Sequence, residues 1–366
     1  MPRTLPLLLA LCLLATAAAR GAPYRLETVA SGLHHPWSLA QLPDHSFLVT
    51  ERRGRLLHVG PDGERQALTG VPETYEAGQG GFFDVMLHPG FDDNRLVYLS
   101  YAAGGLGANA TAIFRGRLTA TGLADGEEIL RVQPLKDTPQ HYGGRLAFLP
   151  DGSLLLTTGE GFDHREAAQN PASELGKVLR ISDDGSVPAD NPLVAAGAQR
   201  VWTLGHRNPQ GMVVDADRGV VWLHEHGPRG GDEVNRLLPG ENYGWPAVTH
   251  GIDYSGATIS PYKHWPGLTD PAHVWVPSIA PSGLALYQGD RFPTWRGDLF
   301  LGALVDREVR RLDLEDGIIV GEERLFGELG ERIRDVRSAP DGFLYLLTDS
   351  EAGRLVRVRP AQGTDH

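Results

Sequence analysis

Cysteine is nearly missing from this sequence: among its 366 residues only Cys12 is one. Outside the first stretch of the chain there is therefore no thiol for a disulfide or a thiolate metal site. Positive charge is also short, with 34 Lys and Arg against 46 Asp and Glu and a formal net charge of −12. Such a balance argues against a nucleic-acid backbone as partner. No apolar run is long enough to span a bilayer comfortably. The longest, residues 5–15, follows Met1-Pro2-Arg3 and precedes Ala17-Ala18-Ala19. Residues 1–19 accordingly read as a targeting signal, with cleavage near Ala19 or Ala22, and the protein as exported, periplasmic or secreted. Leu11 stands before Cys12 where a lipidation signal needs a small residue, so a lipoprotein is not expected. Helical periodicity is scarce, residues 167–177 being the one candidate short helix. No serine nucleophile elbow, HExxH, Walker loop or Rossmann fingerprint is present. Any redox chemistry then needs an organic cofactor other than a nucleotide, or a metal.

What the chain has is turns. It carries 46 glycines, 26 prolines and 41% hydrophobic residues, which favours short strands around an ample core. One phrase recurs: an apolar residue, a Pro-Asp or Asp-Gly turn, then a β-rich run. It begins at Leu42, Leu87, Phe148, Val213, Leu286 and Ser338. Each unit reads as a hairpin that cannot bury both faces alone, so the units must pack around an axis. The expectation is an all-β protein, a six-bladed β-propeller formed by residues 23–360 as a single domain. A strand over residues 24–29 would pair with the last blade and close the ring. A two-domain β-sandwich is the competing fold. The long segments 104–126 and 247–276 are where a ligand pocket is expected.

The stretch 205–245 concentrates chemistry-bearing residues. Arg207-Asn208 precedes Pro209, and the loop Gly227-Pro228-Arg229-Gly230-Gly231 leads into Asp232-Glu233. Proline donates no N–H and glycine takes unusual backbone angles, which leaves carbonyls free beside carboxylates. That suits a hard cation such as calcium, and the arginine suits an anionic organic ligand; two plain turns between strands would also give this pattern. Gln79, framed by Gly78, Gly80 and Gly81, can donate and accept close to a ligand. His141 lies on a glycine-flanked loop ahead of a strand, a place for a general base near neutral pH, although most of the 14 histidines must be structural or superficial. Glu160 ends a strand, where it could bind a polyol or cap a turn. Arg332 and Arg334, two apart, share one face of a strand and could hold a multiply charged carboxylate or simply face solvent.

Taken in order, GQGGFFDV, HYGGRLAF, GHRNPQG, EHGPRGGDEVN, GENYGWP and RIRDV resemble the soluble quinoprotein sugar dehydrogenases, in particular their bacterial aldose dehydrogenase branch, over nearly the whole chain after His35-Pro36-Trp37. That family is a six-bladed propeller using pyrroloquinoline quinone (PQQ) and calcium to oxidise aldoses at C1 to lactones and pass electrons to an external acceptor. The resemblance implies His141 as base, with Gln79, Arg207, Asn208 and Tyr254 at the quinone, Arg207 beside its reacting carbonyl. It implies Arg332 and Arg334 at the cofactor's carboxylates, the carbonyls of Gly227 and Pro228 on the calcium beside PQQ, and Glu233 with the Tyr243 carbonyl on a second, structural calcium. Gln140 stands where the glucose enzymes carry a sugar-binding aspartate, so glucose preference is not implied; Gln140 and Glu160 remain the candidate substrate contacts. Val305 replaces a lysine found in some relatives, with Arg307 nearby. Shorter loops imply a monomer. A calcium-dependent propeller lactonase and a non-catalytic ligand-binding propeller are the alternatives.

Overall fold

The computed structural model describes residues 24–361, so the expected leader lies outside them. Six four-stranded antiparallel sheets account for the strands. Blades 1 to 5 span residues 36–68, 82–131, 146–204, 209–275 and 281–325. Blade 6 takes three strands from residues 333–360 and its outermost strand, Tyr24–Leu33, from the other end of the described chain. The first strands of neighbouring blades touch one another all the way round, the sixth returning to the first. The architecture is the expected six-bladed β-propeller, closed by an N-terminal strand as expected.

The recurring Pro-Asp and Asp-Gly phrase is the turn between the first and second strand of each blade. Its chemistry is local. Asp44, Asp151 and Asp341 each accept a hydrogen bond from the backbone N–H two residues on, at 3.0, 2.9 and 3.1 Å, the side-chain mimic of a backbone turn that aspartate favours. All six such turns lie on one face of the ring. The leading ends of the first strands therefore open on the other face, together with the loops that follow the second strands.

Strand alternation supplies the core. Within Phe47–Glu51, Leu48 packs into the cluster shared with blade 2 (Leu56, Phe82, Leu99), whereas Phe47 and Val49 pack into the one shared with blade 6 (Tyr345, Leu347). Both faces of every inner strand are covered, so period-two polarity is lost and such strands read as continuous apolar runs.

The axis is polar instead. Asp84 of blade 2 accepts from the Ser38 hydroxyl of blade 1 at 2.5 Å and the Leu146 N–H of blade 3 at 2.9 Å. Arg145, 2% exposed, sits 3.5 Å from Asp84 and 3.0 Å from Asp335, donates its Nε to the Gln210 carbonyl of blade 4, and covers the Trp37 ring. Arg337 bridges both aspartates. In blade 5, a Cβ on Gly283 would lie 2.1 Å from Asp335 Oδ1, so glycine alone lets that strand approach. Two buried aspartates and two arginines thus join all six blades with balanced charge.

Two sequence expectations are corrected. Residues 167–177 are not a helix: a 3-10 turn, Arg165–Gln169, is followed by extended Asn170, and Lys177 begins a strand. Asn170 precedes Pro171, which disfavours helical angles. Lys177 Nζ then donates to the carbonyls of Ala167, Ala168 and Leu175 at 2.8, 3.0 and 2.8 Å, satisfying groups a helix would have paired. Segment 104–126 is no pocket-forming loop either, because most of it is the strand Ala108–Leu118 and the start of Leu123–Arg131. The segment 247–276 does reach the site described next.

Candidate active site

A cleft of about 410 Å³ opens at the axis on the face opposite the aspartate turns. Its wall comes from the leading ends of first strands (Gln79, Tyr142, Gly143, Asn208, Arg332, Arg334) and from second-strand exits (Arg52, Leu304, Val305, Asp349). Closure of the ring brings these loops together, which is why His35 and Asp349, 314 positions apart, become neighbours.

A smaller cavity is lined by Glu160, Phe162, Arg207, Pro228, Trp245 and Tyr254. His141, 4% exposed, lines neither space itself; it precedes Tyr142 and Gly143 of the cleft wall and packs against Glu160 and Phe162 of the smaller cavity. Its backbone is left-handed, with φ of 47°. Three contacts hold that conformation. Gln79 Oε1 accepts its N–H at 2.9 Å, Asn208 Oδ1 accepts the Gly143 N–H at 3.3 Å, and Gly159 lies so close beneath that a Cβ there would meet the His141 carbonyl at 2.2 Å. Nδ1 lies 3.1 Å from Glu160 Oε2, and both residues are buried. An ionised carboxylate only accepts, so the proton is on Nδ1 and Nε2 carries the free lone pair. Burial pulls the imidazole pKa down, Glu160 opposes this, and Arg207 and Lys136 reinforce it. Lys136 is itself buried, donating to Asn109 Oδ1 at 2.9 Å beneath the same loop, and burial brings its ammonium down to about 7. A depressed histidine stays neutral, and so able to accept a proton, at pH values where free imidazole is protonated. In an NMR titration of the cofactor-free protein, the His141 ring is expected to titrate below the ordinary value near 6.5. A midpoint at or above that value would mean that the Glu160 charge outweighs burial.

Arg207 is 4% exposed. Glu225 accepts its backbone N–H at 2.5 Å and also binds His206 Nδ1 at 2.8 Å, while Nη1 donates to the Gly227 carbonyl at 2.7 Å. Its guanidinium carbon lies 5.9 Å from the Tyr254 ring centroid. Gly227 therefore already turns its carbonyl toward a cation, and a calcium ion there would take over a contact that Arg207 now makes. A third small cavity gathers Gly227, Glu225, Glu233 and Tyr243. Glu225 and Glu233 are direct cross-strand partners. Burial and then the Glu225 charge push the Glu233 carboxyl well above its usual range, as expected of two carboxylates set side by side. The chain thus supplies oxygen donors suited to a divalent ion, although among the described residues no group of three or more His, Cys, Asp or Glu is arranged to hold one.

Arg332 and Arg334 meet at one carboxylate, Asp349 Oδ2, at 3.3 and 3.0 Å. Burial alone would raise that carboxyl, yet Arg334, His35 and Arg332 hold it well below the usual carboxylate range. His226, also in the cleft, is neutral near pH 7 because burial brings it to about 4. With Arg52 the lining carries three guanidiniums against a single carboxylate. Nε of both Arg52 and Arg207 is buried without an acceptor. An anion with several carboxylates fits that donor set. Of the expected residues, Gln79, Asn208, Arg332 and Arg334 line the cleft, Arg207, Glu160, Pro228 and Tyr254 line the smaller cavity, and half-buried Gln140 lines neither. Arg52 and Asp349 were not anticipated; for Arg52 the sequence offered the arginine-rich run ERRGR inside the first repeat.

Comparison with known proteins agrees with this geometry. The glucose/sorbosone dehydrogenase family matches residues 33–357. The aldose sugar dehydrogenase YliI of Escherichia coli is 41% identical over 359 residues, covering 96% of each chain. The crystal structure of the E. coli aldose sugar dehydrogenase in its apo form superposes with a TM-score of 0.88 at 40% identity, over 92% of this chain and 99% of that one. The PQQ-bound aldose sugar dehydrogenase of Streptomyces coelicolor superposes with a TM-score of 0.77 at 27% identity, over 92% and 100%. The chain belongs to the glucose/sorbosone dehydrogenase family.

Proposed function

We propose that this protein oxidises aldoses at C1 to lactones with PQQ and calcium and passes the electrons to an external acceptor. One observation carries the reading: a neutral histidine, oriented by a buried carboxylate, immediately precedes Tyr142 and Gly143 in the wall of a cleft with excess guanidinium charge. Bound PQQ, polarised by a calcium ion, supplies the two-electron oxidant for the C1 hydride. The protein does the rest. Nε2 of His141 takes the proton of the anomeric hydroxyl as C1 loses hydride, and Glu160 balances the imidazolium that forms. Arg332 and Arg334 would bind the cofactor's carboxylates, and Arg207, Asn208, Gln79 and Tyr254 would hold its quinone. The carbonyls of Gly227 and Pro228 would hold the ion beside the cofactor, and Glu233 with Tyr243 a second one.

A lactonase would need carboxylates free to converge on a metal at the axis, whereas Asp84 and Asp335 are both taken by arginines. Among the described residues no helix is long and apolar enough to cross a membrane; with the leader expected over residues 1–19, a periplasmic or secreted monomer is proposed.

Reconstitution tests the reading. Purified protein is assayed with a panel of aldoses and an artificial electron acceptor, with and without PQQ and calcium. Activity requiring both additions is expected; the absence of both activity and PQQ binding would reject the proposal. The combined change Arg332→Ala and Arg334→Ala should weaken PQQ binding by roughly 30- to 100-fold, since two charge-assisted contacts are lost but Arg332 is partly solvated. Undiminished affinity in a direct titration would remove the pair from the cofactor site.

A further inference from the structure

Phe162 departs from ordinary structure in two ways. The residue is 37% exposed, and its backbone is left-handed with φ of 70°, a conformation that bulky residues rarely adopt. Such strain persists where the surroundings enforce it. Here Glu160 enforces it: the Oε2 atom that faces His141 Nδ1 also accepts the Phe162 N–H. One carboxylate oxygen thus fixes the proposed base and the phenyl ring together. The ring stands edge-on to the His141 imidazole, with centroids 5.1 Å apart at 77°, and lies nearly parallel to Tyr254 at 6.3 Å and 20°. Arg165 and Asp253, 3.4 Å apart, line the same small cavity.

An aromatic face with a rim of paired donors and acceptors is the chemistry that recognises a sugar ring. A pyranose offers C–H groups on its faces and hydroxyls at its edges, which need apolar contact and hydrogen-bond partners respectively. On the reading of the site as an aldose dehydrogenase, we propose that Phe162 is a substrate-binding residue, packing against the C–H face of the sugar whose C1 is presented to His141. Holding ring and base on one oxygen then sets the distance between the stacked sugar and Nε2. It also explains why an apolar residue is kept exposed and strained beside the cleft.

The informative variant is Phe162→Asn, because asparagine tolerates the left-handed backbone while removing the ring; Phe162→Tyr restores the ring. In the PQQ- and calcium-loaded enzyme, Phe162→Asn should raise KM for D-glucose, D-xylose and maltose about tenfold, equivalent to about 1.4 kcal/mol. Its kcat should stay within about twofold and its PQQ titration should be unchanged, with Phe162→Tyr close to the parent. An unchanged KM overturns the proposal. So does a loss confined to kcat, which would mean action through Glu160 alone, or weakened PQQ binding, which would put the ring in the cofactor wall. Saturation-transfer NMR on the cofactor-free protein tests sugar contact without turnover. Transfer from aromatic protons to sugar C–H groups, lost in Phe162→Asn, supports the assignment even if the loaded parent oxidises no aldose, an outcome that would sink only the dehydrogenase reading. Absence of transfer in the parent overturns it.

Discussion

Replacing His141 is expected to lower kcat by about 10²- to 10⁴-fold, the usual contribution of a positioned general base, while PQQ still binds. The size follows from the surroundings. Nε2 is the only free lone pair on that ring, because Nδ1 faces the Glu160 carboxylate. Of the other groups that lower its pKa, the Arg207 guanidinium cannot accept a proton and Lys136 Nζ is committed to Asn109 Oδ1 and the Thr138 carbonyl. The choice of variant matters, because residue 141 is left-handed. Alanine would add backbone strain to the loss of the base, whereas His141→Asn keeps the φ and removes only the base. Both variants should therefore lose turnover alike, and the asparagine form should keep the parent's thermal stability. Added imidazole should restore part of the rate in either. PQQ titration, stopped-flow reduction of the bound quinone and a thermal melt together check the prediction. Reduction at the parental rate in His141→Asn would take the proton transfer away from this residue.

The place of His141 in the fold was legible in the sequence for a physical reason. Its loop must bend sharply to present a side chain at the leading end of a strand, and the glycines that permit the bend, Gly143 and Gly144, are visible as letters. The turns were legible for the same kind of reason: Asp151 acts on Ser153, two residues away. What the sequence does not display is which strand ends converge. Arg52 and Asp349 are almost 300 positions apart and share a cleft only because the ring closes. Phe162 was hidden differently. Its role depends on a backbone angle and on one oxygen of Glu160, and the sequence offered Glu160 as a polyol contact or a turn cap without suggesting that it faces the histidine. The failed helix over residues 167–177 shows the converse. The helix was outweighed by Pro171 and by the third-to-fourth strand pairing, in which Lys177 stands opposite Leu204.

The same closure puts the largest stability effect at the axis. Asp84→Ala should cost about 3–5 kcal/mol, the range for removing one partner of a buried ion pair. The lost carboxylate accepts from Ser38 and the Leu146 N–H and faces Arg145 and Arg337, so three other blades lose a partner at once. Arg145 is fully enclosed, and its excess charge cannot reach water. Asp84→Asn keeps an acceptor for Leu146 and should fall between the two. Glu27→Ala provides the contrast. Glu27 ties the closing strand to Arg357 and Arg359, but this pairing is partly exposed, and such pairs contribute about 0–1 kcal/mol. Strand closure would still rest there on the backbone ladder from Tyr24↔Pro360 to Leu33↔Gly353. Urea unfolding of the three variants decides which holds the ring shut. A large loss in Asp84→Ala beside a small one in Glu27→Ala would locate the cooperative centre in the axial charges. The reverse order would mean that the axial arginines relax onto other acceptors and that closure depends on its outermost strand.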